Sequence, residues 1–138
     1  MALAAEILGD RWTLLILREA FFGVQRYEDM RADLGAPRST LTERLGKLVA
    51  RGLMTRRPYH EPGSRRRDAY VLTEAGQGLA LTLLALAQWG EDHVIEGPAP
   101  VVVTDRRQGR PLRVELVDRS GRVVPLKDAR LALRGEGE

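Results

Sequence analysis

At Gly52 the spacing of apolar residues changes from helical to extended, and the segments on either side leave few folds open. Before it, four stretches carry helical spacing and are cut apart by glycines. LAAEIL, residues 3–8, is a short helix broken by Gly9 and Asp10. RWTLLILREAFF follows, with Asp10 able to accept hydrogen bonds from the free N–H groups of its first turn and Gly23 to end it. Its Leu14, Leu15, Leu17 and Phe21 form an apolar face with Arg18 at the edge. RYEDMRADL puts Tyr27, Met30 and Leu34 on one side and offers Gly35 as its C-terminal cap. The fourth helix starts at Pro37, where a missing N–H costs nothing, and spaces Leu41, Leu45, Leu48 and Val49 at i, i+4, i+7 and i+8.

After Gly52, LMTRRPYH and RDAYVLT are short runs rich in β-branched and aromatic residues, joined by EPGSR, whose Pro62 and Gly63 form turns. They predict a β-hairpin. Thr73 then caps one long helix over 74–94, despite two glycines near its start that weaken local propensity. Leu79, Leu83, Leu86 and Trp89 make its stripe, and Leu81, Leu84 and Ala85 widen it beyond what one small core needs, so the helix is expected to pack on two partners. From GPAP onward the style changes: VVVTD, LRVELVD and RVVPL read as strands and DRSG as a hairpin turn. The expected domains are therefore 1–96 and a small β appendage, 97–138, with the final RGEGE disordered.

Helix, helix, helix, hairpin, helix is the order of a winged helix-turn-helix, a mainly α fold with a β-hairpin wing. In that architecture the helix after the tight turn enters the DNA major groove, and the hairpin follows the backbone or the minor groove. The charge distribution agrees. The net charge is only +3, yet residues 36–67 hold nine basic side chains against two acidic ones, while residues 68–96 hold five acidic and none basic. A stretch polarised this way, covering the recognition helix 37–51 and most of the wing 54–72, is the footprint expected of a polyanion-binding surface.

Helical geometry, at about 100° per residue, turns Ser39, Thr42, Glu43, Gly46 and Lys47 away from the leucine face. Candidate base contacts are Arg38, Ser39, Thr40 and Thr42, with Arg44 a further candidate whose alternative is a surface pair with Glu43. Lys47 and the wing arginines Arg65, Arg66 and Arg67 are candidates for phosphates. Alternation in an extended strand would keep those three from facing DNA equally. Gly46 either lets a base or phosphate approach closely or simply weakens the helix.

Other classes of function find little support. With no cysteine, disulfides, thiolate catalysis and Cys-based zinc sites are excluded. His60 and His93 are the only histidines and fit neither HExxH spacing nor a nucleophile elbow, so no enzyme, metal or cofactor is expected. No apolar run reaches the ~18 residues of a bilayer span and no signal peptide is evident, so a cytoplasmic protein is expected. The alternative reading is a winged-helix module that binds protein without specific DNA binding. An unidentified small-molecule effector is a further possible partner for the wide apolar surface of helix 74–94, although dimer packing is the better explanation of the same residues.

Three motifs in order, GDRW, LTERL followed by GL, and RRPY followed by LTEAG, make residues 5–93 resemble the HxlR-type winged helix-turn-helix transcriptional regulators of bacteria. The resemblance implies a homodimer joined through the N-terminal helix and helix 74–94, recognition helices in successive major grooves, and Trp12 and Leu14 in the core. Many members of that family carry a cysteine ahead of the first helix, which some use to sense oxidants or electrophiles. None is present in these 138 residues, which excludes a thiol switch here. The stretch from residue 97 lies outside the shared pattern.

Overall fold

The computed structural model describes residues 1–132. Its elements run α1 (Ala2–Leu8), α2 (Arg11–Phe21), α3 (Tyr27–Leu34), α4 (Arg38–Ala50), β1 (Met54–Tyr59), β2 (Arg67–Leu72), α5 (Glu74–Gln77) and α6 (Ala80–His93), with a single 3-10 turn at Leu126–Asp128. Contacts divide the chain into two compact units, one from Met1 to Leu83 and one from Leu84 onward.

The first unit is built on a small leucine-rich core. Ile16 and Leu17 of α2, Met30 of α3, Leu41, Leu45 and Leu48 of α4 and Met54 of β1 are all but sealed from solvent. Each such side chain contributes roughly 1.5–3 kcal/mol by leaving water. The three α4 leucines and Met30 sit where periodicity placed them. In α2 the buried residues are instead Thr13, Ile16, Leu17 and Glu19, while Leu14 is half-buried outside the cluster and Phe21 is 37% exposed. LLIL offers four apolar residues in succession, so spacing alone cannot choose which of them faces inward. Trp12 does pack against the core.

Turn chemistry sets the element boundaries. Asp10 caps α2 by accepting from the Thr13 amide (3.0 Å) and the Thr13 hydroxyl (2.8 Å). α4 ends in a Schellman arrangement: the Leu53 amide donates to the Leu48 carbonyl, the Gly52 amide to that of Val49, and Gly52 takes φ +72°. The chain then turns directly into β1. β1 and β2 pair antiparallel from Met54 opposite Leu72 to Tyr59 opposite Arg67. The outer edge of β2 is held by the α2–α3 connection, through an Arg26–Ala69 bridge and the Tyr70 amide donating to the Gln25 carbonyl at 2.7 Å.

Residues 74–94 are not one helix. Thr73 caps α5 as expected, accepting from the Gly76 amide at 3.1 Å, but the helix stops at Gln77 and restarts at Ala80. α5 is pressed onto the end of α4: the Thr73 hydroxyl donates to the Gly52 carbonyl (2.6 Å), and a Cβ on Gly76 would lie 2.1 Å from the Leu53 carbonyl oxygen. That docking fixes the direction of α5, and the break falls at Gly78, where helix propensity is lowest.

In the second unit the expected strands do not form ladders. The segments meet only at isolated bridges among the described residues, Thr104–Pro111 and Val117–Val123. Proline explains part of this: Pro111 has no N–H to extend its bridge, and Pro125 opens the 3-10 turn. The DRSG turn does form, with the Gly121 amide donating to the Asp118 carbonyl at 3.0 Å. The RGEGE segment lies outside the described residues.

Candidate nucleic-acid interface

One side of α4 packs and the other is open. Leu41, Leu45 and Leu48 are buried, whereas Ser39, Thr42, Glu43, Gly46 and Lys47 are exposed on the opposite side and Thr40 is half-buried at the edge. A Cβ on Gly46 would meet nothing within 4 Å, so packing does not require glycine there.

Tyr27, which the sequence marked only as a core residue of α3, organises the start of α4. Its hydroxyl donates to the Arg38 carbonyl (3.0 Å) and shares a hydrogen bond with Thr42 Oγ1 (2.9 Å). A phenol has one proton; with it given to the carbonyl, Thr42 must be the donor in the second bond. The Thr42 oxygen then presents only lone pairs to an incoming group. Arg38 lies over the Tyr27 ring (5.8 Å) with Nη1 at 3.4 Å from Glu28, and its side chain remains 61% exposed. A long, exposed ion pair of this kind holds the guanidinium weakly, so it is available to a better partner.

Arg44 is arranged differently. Its Nε donates to Asp10 Oδ2 at 2.6 Å and Nη1 lies 3.0 Å from Glu43, leaving the side chain 23% exposed. Burial pushes the Asp10 carboxyl up, but hydrogen bonds from Arg44 and Thr13 outweigh it and hold the group at about 2. One carboxylate thus caps α2 and ties α4 to it, and Arg44 is turned inward rather than toward the open face. The surface pair with Glu43 forms as well, so Arg44 bridges two carboxylates. Lys47 is exposed and pairs with Glu43 at 2.9 Å. The hydrogen bond and charge of Lys47, with help from Arg44, lower the Glu43 carboxyl.

The wing tip turns at 61–64, where the Ser64 amide donates to the Glu61 carbonyl (3.0 Å) and Gly63 takes φ +79°. Glu61 is neutralised by Arg26 at 2.6 Å, whose guanidinium also stacks on Tyr59 (4.9 Å). Arg65, Arg66 and Arg67 are exposed, and among the described residues none of them forms an ion pair. β2 begins only at Arg67, so strand alternation governs that residue alone and leaves Arg65 and Arg66 to the loop. Arg57, exposed on β1 and also without an ion pair among the described residues, was not singled out from the sequence. A hairpin register would have found it, since it stands opposite Ala69 on the strand leading to the tip.

The model of the HxlR-like helix-turn-helix family matches residues 7–97. An uncharacterized HTH-type transcriptional regulator of Mycobacterium tuberculosis is 50% identical over 97 residues, which is 69% of this chain and 60% of that relative. The chain therefore spans 60% of the length of the mycobacterial relative it matches. Among solved structures, the candidate transcription factor PA1607 superposes with a TM-score of 0.80 at 32% identity, over 93% of this chain and 89% of its own. PA1374 of Pseudomonas aeruginosa, a candidate transcription factor too, does so with a TM-score of 0.69 at 31% identity, over 98% and 92%. In both, the likeness continues beyond residue 97, where the family match ends. Among the described residues no helix is long and apolar enough to cross a membrane.

Proposed function

Because the chain belongs to the HxlR-like helix-turn-helix family of transcriptional regulators, which are not enzymes, we propose that it binds duplex DNA sequence-specifically as a homodimer. α4 enters the major groove, and the wing grips the flanking backbone or the minor groove. The observation that carries the reading is the open polar face of α4, backed by three buried leucines and flanked by a wing tip with exposed arginines.

Within that face Ser39, Thr40 and Thr42 meet base edges, and Arg38 swings from Glu28 to a base or phosphate. Thr42, held as an acceptor by Tyr27, selects an exocyclic amine, adenine N6 or cytosine N4. Lys47 and Arg65, Arg66 and Arg67 bind phosphates, joined by Arg57. Arg44 acts through Asp10 as a positioning residue that fixes the angle of α4 on α2.

The homodimer reading is supported by apolar side chains that one subunit leaves in water. Leu3 on α1 is 75% exposed, and on α6 Leu81 is 67% and Trp89 57% exposed. Neither helix contains a buried residue. Apolar surface on this scale marks a protein interface.

The test is selection of duplexes from random sequence by the purified protein, followed by binding of Thr42→Ala and Arg66→Ala variants. Thr42→Ala should lose about 1 kcal/mol of preference at one base pair. Arg66→Ala should weaken selected and scrambled duplexes alike. No affinity for any duplex at low salt would leave the winged-helix protein-interaction module as the better reading.

A further inference from the structure

The two turns of the second unit are versions of one device. VTDRRQGRPL and LVDRSGRVV each open their turn with Asp-Arg and close it with Gly-Arg. Asp105 accepts from the amides of Arg107 (3.0 Å), Gln108 (2.6 Å) and Arg110 (2.8 Å). Asp118 accepts from those of Ser120 (2.9 Å) and Arg122 (3.1 Å). Gly109 and Gly121 take φ +66° and +84°, and each hairpin closes with one backbone bond below the turn, from the Leu112 amide to Val103 and from the Val124 amide to Leu116, both 2.8 Å. The stretch between the turns is mounted on α6: the Gln88 side chain bonds both the amide (2.9 Å) and the carbonyl (3.2 Å) of Val114, and Arg113 pairs with Asp92 at 3.0 Å.

This construction separates charge. Asp105 is satisfied by backbone amides, and Asp118 by two amides, the Ser120 hydroxyl (2.6 Å) and Arg122 Nε (3.1 Å), so neither carboxylate draws on the turn's remaining arginines. Arg106, Arg107, Arg110 and Arg119 are exposed, and among the described residues the ion pairs of this unit use only Arg113 and Arg122 of its arginines. Exposed, unpaired side-chain charges of this kind attract phosphates and release their condensed counterions. Residues 97–138 contain no Phe, Trp, Tyr or His, so there is no platform on which unpaired bases could stack. The chemistry therefore favours the regular phosphate rows of a duplex over single strands.

We propose that the paired Asp-Arg…Gly-Arg hairpins are a second phosphate-binding surface, which grips the backbone of duplex DNA without reading its bases. The inference rests on the DNA-binding reading above. It gives the segment beyond residue 97 a role in affinity and none in specificity.

The experiment compares the full chain with a variant carrying Arg106→Ala, Arg107→Ala, Arg110→Ala and Arg119→Ala. Binding to a duplex selected by the wild type and to a scrambled duplex is followed by fluorescence anisotropy across a salt series. The variant should lose about tenfold or more on both duplexes near 0.1 M salt, with a log–log salt slope shallower by about 2–3, given roughly 0.9 per phosphate contact. The ratio between the two duplexes should stay the same, and replacing the four arginines by lysine should restore most of the loss. Wild-type affinity and slope in the alanine variant would overturn the inference. So would a loss confined to the selected duplex, or one that lysine does not repair, which would point to a damaged fold. A wild type that binds neither duplex would overturn the DNA-binding reading itself, an outcome distinct from a binding wild type matched by its variant.

Discussion

Asp10 serves three groups at once, the Thr13 amide, the Thr13 hydroxyl and the Arg44 guanidinium. Its carboxyl, held at about 2 when folded, returns to the ordinary range near 4 when the chain unfolds. A depressed folded value means that the stabilisation is complete above about pH 4 and is lost as the pH falls toward 2. Asp10→Asn should therefore flatten the decline of stability between those limits, measured by urea melts at stepped pH. Asp118 is held at about 2 as well, so part of the decline should persist. A second residue separates stability from binding. Gly46→Ala adds a methyl group where nothing lies within 4 Å. It should stabilise α4 by about 0.5–1 kcal/mol through helix propensity. On the proposed reading the same methyl intrudes on the DNA face, so thermal melts should shift up while affinity for the selected duplex falls.

At the level of elements, α4 was legible in the sequence because Leu41, Leu45 and Leu48 are separated by polar residues and leave one solution for the buried face. α2 was legible as a helix but not in its orientation, since Leu14 to Leu17 are apolar without interruption. The Asp10 cap was visible, but its bond to Arg44, 34 residues away in sequence, was not, because no local pattern records a tertiary ion pair. The joint between α5 and α6 is similar: two glycines hinted at weakness, and only the docking of Gly76 on Leu53 shows why the first is required. Gly76→Ala drives a Cβ into a backbone carbonyl, which cannot rotate aside as a side chain would. It should cost about 2 kcal/mol, read as a lower urea midpoint with an unchanged slope. Gly78→Ala meets its nearest carbonyl oxygen, that of Ala75, at 3.2 Å and should cost less.

For the whole molecule, the proposed homodimer would cover the exposed leucines and tryptophan of α6 and so couple stability to association. If two subunits cover them, melting temperature should rise with protein concentration. Trp89→Glu should abolish that dependence and halve the mass measured by sedimentation, while the subunit keeps its helical content because Trp89 is 57% exposed in it. Local signals in the sequence set the order of the elements from the first helix through the wing, most of the caps and turns that end them, the leucine face of α4 and the basic stretch from helix to wing. These are written in periodicity, glycine and charge, which act between near neighbours. What the folded chain added is that Arg44 turns inward to Asp10, that Tyr27 fixes which way the Thr42 proton points, and that the carboxylates of the last two turns are satisfied within their own turns. Each depends on groups brought together from separate segments or on the dihedral angles of a closed turn, and a hydrogen bond worth about 1 kcal/mol is chosen only after the core has fixed the distances.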